Sequence, residues 1–152
     1  MTGCRVSEAA NIAVGEINTL KGQWRIPPDR AKNGHGITLP LHPLLGSVLG
    51  SGLQAPSKVE LQVDRQLTGM EPWVWHDLRR SVRSGLSRLG VDKDIAERAL
   101  NHLSHVSAME RVYNRHDYSS EIIDAVILWQ SHVAAILCKS QKNSLAIVAS
   151  RK

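Results

Sequence analysis

The segment WVWHDLRRSVRSGLSRLG, residues 73–90, sets a histidine and an arginine three positions apart, His76 and Arg79. They fall on what reads as the first turn of a helix. Positions i and i+3 share a helix face, and the free N–H groups of a helix N-terminus favour an anion. The pair is therefore a candidate for gripping something negative. The plainer alternative is a solvated basic face that also carries Arg80, Arg83 and Arg88. A second segment, ERALNHLSHVSAMERVYNRHDY, residues 97–118, adds His102 at a helix end and Tyr113 on the next helix. Alone, such a histidine is a cap or a core partner, and such a tyrosine is core. His105 rivals His102, and Tyr118 rivals Tyr113. His102, His105 and His116 could also be read as a metal module, but no cysteine or carboxylate completes a recognisable ligand set.

These side chains need elements to hold them. Ser7–Asn11 is helix-friendly. Ala13–Asn18 and Gln23–Ile26 read as short strands around the turn TLKG. PPDRAKNGHG, residues 27–36, is turn chemistry, and ITLPL follows as another strand. Residues 13–41 thus predict a small antiparallel sheet with Lys32 in or beside a turn. His42–Gly50 reads as a helix, and residues 50–72 as an irregular loop ended by Pro72. His76–Leu89 is helical and closed by Gly90. Asp92 or Asp94 caps the next helix, with Ile95, Ala99 and Leu100 facing inward. Ser107–Arg115 is a short helix carrying Tyr113. Ser119 or Ser120 opens a long last helix whose Ile122, Ile123, Val126, Ile127, Val133, Ala134 and Leu137 recur near a period of 3.6. The tail after Lys139 is expected to fray.

The chain has 152 residues, enough for one domain with a core. With 19 Lys+Arg against 14 Asp+Glu and a net charge of +5, the balance leans toward a polyanionic partner. Phe is absent, so the core must come from Leu, Ile, Val, Ala and the four Trp. Cys4 and Cys138 stand at opposite ends, which gives neither a disulfide framework nor a paired zinc motif. A reducing cytosol is the simplest home. No signal peptide is read at the start, no segment is read as a membrane span, and the polar face of the last helix is too weakly basic for a membrane-surface role.

Taken in order, the segments resemble the tyrosine recombinases, or phage integrases. TGCRVSE resembles the first box, with Arg5 as its arginine and Glu8 as the acidic residue after it. WRIPPDRAKNGHGITLPL resembles the family's β-hairpin with Lys32 as its lysine. HDLRRS resembles the His-x-x-Arg box, giving His76 and Arg79. LNH resembles the third box, giving His102, and VYNRHDY resembles the nucleophile segment, giving Tyr113. Trp129 in the last helix fits the same pattern. The resemblance covers roughly residues 2–137.

The resemblance implies an α+β fold, mainly helical with a small N-terminal antiparallel sheet, over residues 1–140, with 141–152 as a tail. It implies a site-specific recombinase that breaks and rejoins double-stranded DNA through a 3′-phosphotyrosine, without cofactor or metal, as a homotetramer on two duplexes. The setting expected is cytoplasmic, in a bacterium or phage, in integration or excision of a mobile element. Tyr113 would be the nucleophile. Arg5 and Arg79 would grip the non-bridging oxygens. Lys32 would protonate the leaving 5′ oxygen. His102 would donate to the phosphate, and His76 would assist proton transfer or shape the site. Arg5 read alone is a terminal residue, and Lys32 read alone is a solvated turn lysine. Arg80, Arg83, Arg88, Arg111 and Arg115 are expected to be surface charges, some on DNA backbone. Relatives carry a helical clamp domain before the catalytic domain, whereas Met1 here stands just ahead of Arg5. Val14 stands where many relatives have Trp. The expectation is an N-terminally truncated catalytic domain. The alternative is an inactive remnant that only binds DNA.

Overall fold

The computed structural model describes residues 1–45, 73–102 and 113–149, with side chains through residue 140. It is a mixed α+β structure: a three-stranded antiparallel sheet and four helices among the described residues. A short helix α1, Val6–Ala10, leads through a 3₁₀ turn at Val14–Glu16 into β1, Ile17–Asn18. Strands β2, Gln23–Ile26, and β3, Ile37–Pro40, complete a meander in the order β1-β2-β3. Ile17 pairs with Trp24, and Trp24 in turn with Leu39. Alternation does the rest: Trp24 and Ile26 go inward and Arg25 outward.

Of the strand expected at Ala13–Asn18, only the last two residues pair. Glu16 explains the difference. Its carboxylate accepts from Trp24 Nε1 at 2.9 Å, from Arg30 at 2.7 Å and from the Ala13 N–H at 3.3 Å. Closing those bonds winds the preceding residues into a turn. Burial alone would push the Glu16 carboxyl up, but the bonds from Trp24 and Arg30 win and hold it below the ordinary range.

Helix α2, Trp75–Arg88, starts one residue earlier than the sequence pattern indicates, so Trp75 is helical rather than extended. Its Val74 N–H donates to Asp77 Oδ2 at 2.8 Å. It ends where Gly90, at φ +79°, turns the chain and Val91 N–H donates back to Leu86 O at 3.0 Å. Of the two candidate caps for α3, Lys93–Ala99, Asp92 is the one used: its side chain accepts from Asp94 N and Ile95 N. Ala96, Ala99 and Leu100 are buried, with Ile95 packed at the edge of the core.

The last helix, α4, runs Ser119–Ala149. No Gly or Pro interrupts that stretch, so the backbone stays helical where fraying after Lys139 was expected, across the proposed boundary at 140/141. It packs on α3, β3 and α2. Ala125, Val126 and Gln130 are buried, and Gln130 Nε2 donates to Pro40 O at 2.8 Å. Ile127 and Leu137, expected inward, are exposed. Ile127 follows the buried Val126 by about 100°, which carries it off the contact, and Leu137 lies where α4 has passed the core, beside the exposed Ile136. Ser119–Ser140 has mean hydropathy 1.5, so by length and composition this helix could cross a membrane, contrary to the expectation of no such segment. The reason is that Asp124 is its sole charged residue between Glu121 and Lys139. Ala125 and Val126 of its N-terminal half nonetheless lie in the core, with Ile122 and Trp129 packed against it.

Tyr113 is helical, but residues 114–118 are not, which ends the expected helix Ser107–Arg115 early. Asn114 competes with the helix by accepting from His116 N–H at 3.1 Å. The rest of that helix lies outside the described residues, as does the loop 50–72. Of the expected helix His42–Gly50, residues 43–45 are helical and 46–50 lie outside them.

α2 and α4 touch at Gly85, where an added Cβ would sit 2.0 Å from Trp129 Cζ3. In an open helix Gly→Ala would gain about 1 kcal/mol. Here the overpacking cost dominates, and G85A is expected to lower stability by about 1–3 kcal/mol in urea denaturation. At the other end of the fold, His116 Nε2 lies 2.6 Å from Glu121 Oε1. That contact, helped by Ser120, holds the Glu121 carboxyl down at about 2. A depressed carboxylate stabilises above its unfolded value and loses this as pH falls. The contribution should be complete above about pH 4.5 and vanish toward pH 2, which an NMR titration of Glu121 against H116A would show.

Candidate active site

Four of the six residues singled out in the sequence meet in one cleft of about 270 Å³: Arg5, Lys32, His76 and Arg79. Arg5 comes from the N-terminal segment, Lys32 from the turn between β2 and β3, and His76 with Arg79 from the first turn of α2. His102 joins through Arg79, whose Nε donates to His102 Nε2 at 3.3 Å. Tyr113 stands apart. It is 80% exposed and does not line the cleft.

Arg79 is the centre of the group and is buried, at 5% exposure. A buried guanidinium must be hydrogen-bonded. Its Nη1 donates to Gly3 O at 2.6 Å, its Nη2 donates to Leu100 O, and its Nε goes to His102. Gly3 makes this possible. At φ +70° it sits so close to α2 and α3 that a Cβ would lie 2.8 Å from Leu100 Cδ2. Burial pulls the Arg79 guanidinium down, and Arg5 nearby adds to it; a guanidinium stays charged regardless. Arg5 is anchored by Glu8, which accepts from its Nη1 at 3.2 Å and from its N–H at 2.8 Å. Cys4 lies beside them, and burial pushes its thiol up, so it is no thiolate at neutral pH.

The α2 N-terminus does not act as the open anion site expected. Asp77 places its own carboxylate there, held below its usual range first by the Val74 N–H and also by Arg80. The capacity to bind an anion therefore rests on side chains. Lys32 and His76 are both exposed.

Lys32 is placed by its neighbours. Ala31 N–H bonds to Pro27 O at 3.1 Å and Gly34 N–H to Ala31 O at 2.9 Å, so the hairpin connection is a chain of turns with Ala31 buried. Asn33 and Asn101 then join it to the end of α3. Asn33 Nδ2 donates to Asn101 O at 2.8 Å and to Asn101 Oδ1 at 2.9 Å, while Asn101 Nδ2 donates to His35 O at 2.8 Å. Asn101 is 6% exposed and left-handed, at φ +53°. Asparagine tolerates that region better than most.

Four contributors, Arg83, Glu97, Asn33 and Asn101, escaped the sequence reading. Arg83, expected as a surface charge, is half-buried with its Nε 2.6 Å from Glu97 Oε1. Glu97 Oε2 reaches His102 Nδ1 at 3.0 Å. Burial alone would raise the Glu97 carboxyl, but Arg83 and His102 outweigh it and hold it low. Burial lowers His102, Glu97 pushes back up, and Arg79 and Arg5 lower it again, so the ring is neutral at pH 7. Its Nε2 accepts from Arg79 in this state, so donating to a phosphate oxygen requires a protonated ring. No spacing rule links Arg83 to Glu97. The Asn33–Asn101 pair is long-range too, although Asn is a common left-handed helix end.

The rival tyrosine, Tyr118, is engaged elsewhere. Arg98 lies 4.1 Å over its ring, His116 meets it edge-on, and its hydroxyl takes the Asn114 amide at 2.6 Å. No group of three or more His, Cys, Asp or Glu is placed to hold a metal among the described residues. His105 and Arg111 lie outside them. No protein-family model, curated protein or solved structure matches this chain.

The Asn101 junction should be costly to disturb. N101A loses both the amide clamp and the left-handed preference and is expected to cost on the order of 2–4 kcal/mol. N101G, which keeps the backbone but not the clamp, should recover about 1 kcal/mol of that in the same urea titration.

Proposed function

We propose that this chain is a tyrosine-recombinase catalytic domain that cleaves and rejoins double-stranded DNA through a 3′-phosphotyrosine. The observation that carries the reading is the convergence of Arg5, Lys32, His76 and Arg79 on one cleft, with His102 bonded to Arg79. Arg5, Lys32 and the His76–Arg79 pair lie far apart in sequence, and a solvated basic surface would not gather them. The finer fold, a recombinase catalytic core, belongs to this same proposal, as do the homotetramer on two duplexes and the cytoplasmic setting.

The chemistry follows from the groups. The Tyr113 oxygen attacks phosphorus, the Tyr–O–P bond forms, and the P–O5′ bond breaks. A phenol must lose its proton to attack, and His76 takes it. The Lys32 ammonium gives a proton to the departing O5′. Arg5, with the guanidinium N–H bonds that Arg79 does not commit to Gly3, Leu100 and His102, neutralises the non-bridging oxygens. Tyr113, outside the cleft in the free chain, has to reach the phosphate when DNA is bound. The energy of the broken bond is retained in the ester, so a second DNA end can attack it without ATP.

A second reading, DNA binding without cleavage, draws on one observation: Arg79 is turned inward onto two backbone carbonyls. Incubation with a pool of nicked duplexes of randomised sequence separates the two. The recombinase reading expects an SDS-resistant protein–DNA adduct that is lost in Y113F and kept in Y118F. R5A should slow its formation on the order of 100-fold. Salt-sensitive DNA binding with no adduct would favour the second reading. Absence of both binding and adduct would overturn them together.

A further inference from the structure

The His102 ring is held at both nitrogens. Glu97 Oε2 lies 3.0 Å from Nδ1, and Arg79 Nε donates to Nε2 at 3.3 Å. Behind them, Arg83 Nε holds the other Glu97 oxygen at 2.6 Å and Arg83 Nη1 bonds Ser87 Oγ. The result is a continuous chain, Arg83–Glu97–His102–Arg79, strung between α2 and the end of α3. Hydrogen-bond chemistry then fixes the proton. An ionised carboxylate only accepts, so Nδ1 must carry the hydrogen. A guanidinium N–H only donates, so Nε2 must present its lone pair. The other tautomer would set a lone pair against a carboxylate and a hydrogen against a hydrogen. The backbone reinforces the geometry, since His102 N–H also donates to Glu97 O at 2.8 Å.

We propose that Glu97 is a positioning residue for His102, fixing its Nδ1–H tautomer and ring orientation, with Arg83 anchoring the Glu97 carboxylate. The geometry leaves Nε2 as the edge shared with Arg79; a phosphate held there takes a hydrogen bond from Nε2 only once the ring gains a second proton, a state that the Glu97 carboxylate on Nδ1–H favours. Glu97 itself touches no substrate. The consequence for catalysis rests on the recombinase reading; the consequence for the ring does not.

E97Q is the sharpest test because it keeps volume and removes the charge. With Arg83 still on its oxygen, the new amide turns an N–H toward Nδ1 and demands the opposite tautomer. Long-range ¹⁵N–¹H NMR of the full chain near pH 8 should give the Nδ1–H signature of His102 in the wild type. It should be lost in E97Q; in E97A, which guards against one variant failing to fold, Arg79 still requires the Nε2 lone pair, so Nδ1–H should persist but exchange with water faster for want of its carboxylate partner. With nicked duplexes, E97Q should slow adduct formation about 100-fold while DNA affinity at fixed salt changes less than about threefold. A generally weakened fold would move both. An unchanged Nδ1–H signature in E97Q, or an unchanged Nδ1–H exchange rate in E97A, overturns the proposal, as does an unchanged adduct rate beside an active wild type. If the wild type forms no adduct, the recombinase reading falls, and the tautomer measurement still decides the role of Glu97.

Discussion

The site is organised around a buried positive charge. Removing a guanidinium from water is unfavourable by several kcal/mol unless its N–H bonds are met. Arg79 meets them with groups from two separate places: the N-terminal segment through Gly3 O, and the end of α3 through Leu100 O and His102. Each partner is thereby fixed relative to α2. Gly3 must come close enough for its carbonyl to reach, which places Cys4 and Arg5 at the cleft. The carbonyl at Leu100 ends α3 next to the charge, where a cation is favoured by the helix dipole. One electrostatic requirement thus sets the relative positions of Arg5, Arg79 and His102.

A second junction ties the sheet to that arrangement. Asn101 follows Leu100 and turns the chain left-handed, which lets its side chain return to the hairpin. Its amide and that of Asn33 bond reciprocally, with further bonds to Asn101 O and His35 O. Every polar atom of this buried pair faces a partner of opposite character, the condition under which buried amides rigidify a structure. Lys32 is adjacent to Asn33 and inherits its place. His102 is adjacent to Asn101. Lys32 and His102 are therefore held by neighbours of one another, although their side chains make no direct bond.

What the sequence made legible follows from the range of the forces involved. The helix boundaries at Gly90 and Asp92 and the pairing of Gln23–Ile26 with Ile37–Pro40 are local signals, and they match the structure to within a residue. Ala13–Asn18 misled because Glu16 bonds Trp24 and Arg30, contacts that no strand pattern encodes. Ile127 and Leu137 misled because a run of apolar residues in α4 is wider than the face the core can cover. Of the site, the resemblance to the recombinase boxes chose five side chains that prove to be neighbours. Arg83 and Glu97 could not be chosen, since what distinguishes them from ordinary surface charges is a contact between two helices.

The placement of the acidic groups also bears on what the cleft can accept. A carboxylate facing a phosphate site would repel its ligand, yet Glu8, Asp77 and Glu97 all lie close to it. Each is turned onto cations or backbone N–H groups of the protein: Glu8 onto Arg5, Asp77 onto Val74 N–H and Arg80, Glu97 onto Arg83 and His102. Glu8 is almost fully buried. The carboxylates orient the cations from behind and present little negative charge outward. Lys32, at the open side, forms no ion pair among the described residues, so its charge is uncompensated where an anion would enter. With burial holding Arg79 in place and Lys32 free at the rim, the cleft is arranged to lower the energy of one dense anionic group. On the proposed reading, a scissile phosphate would make that demand of these same groups.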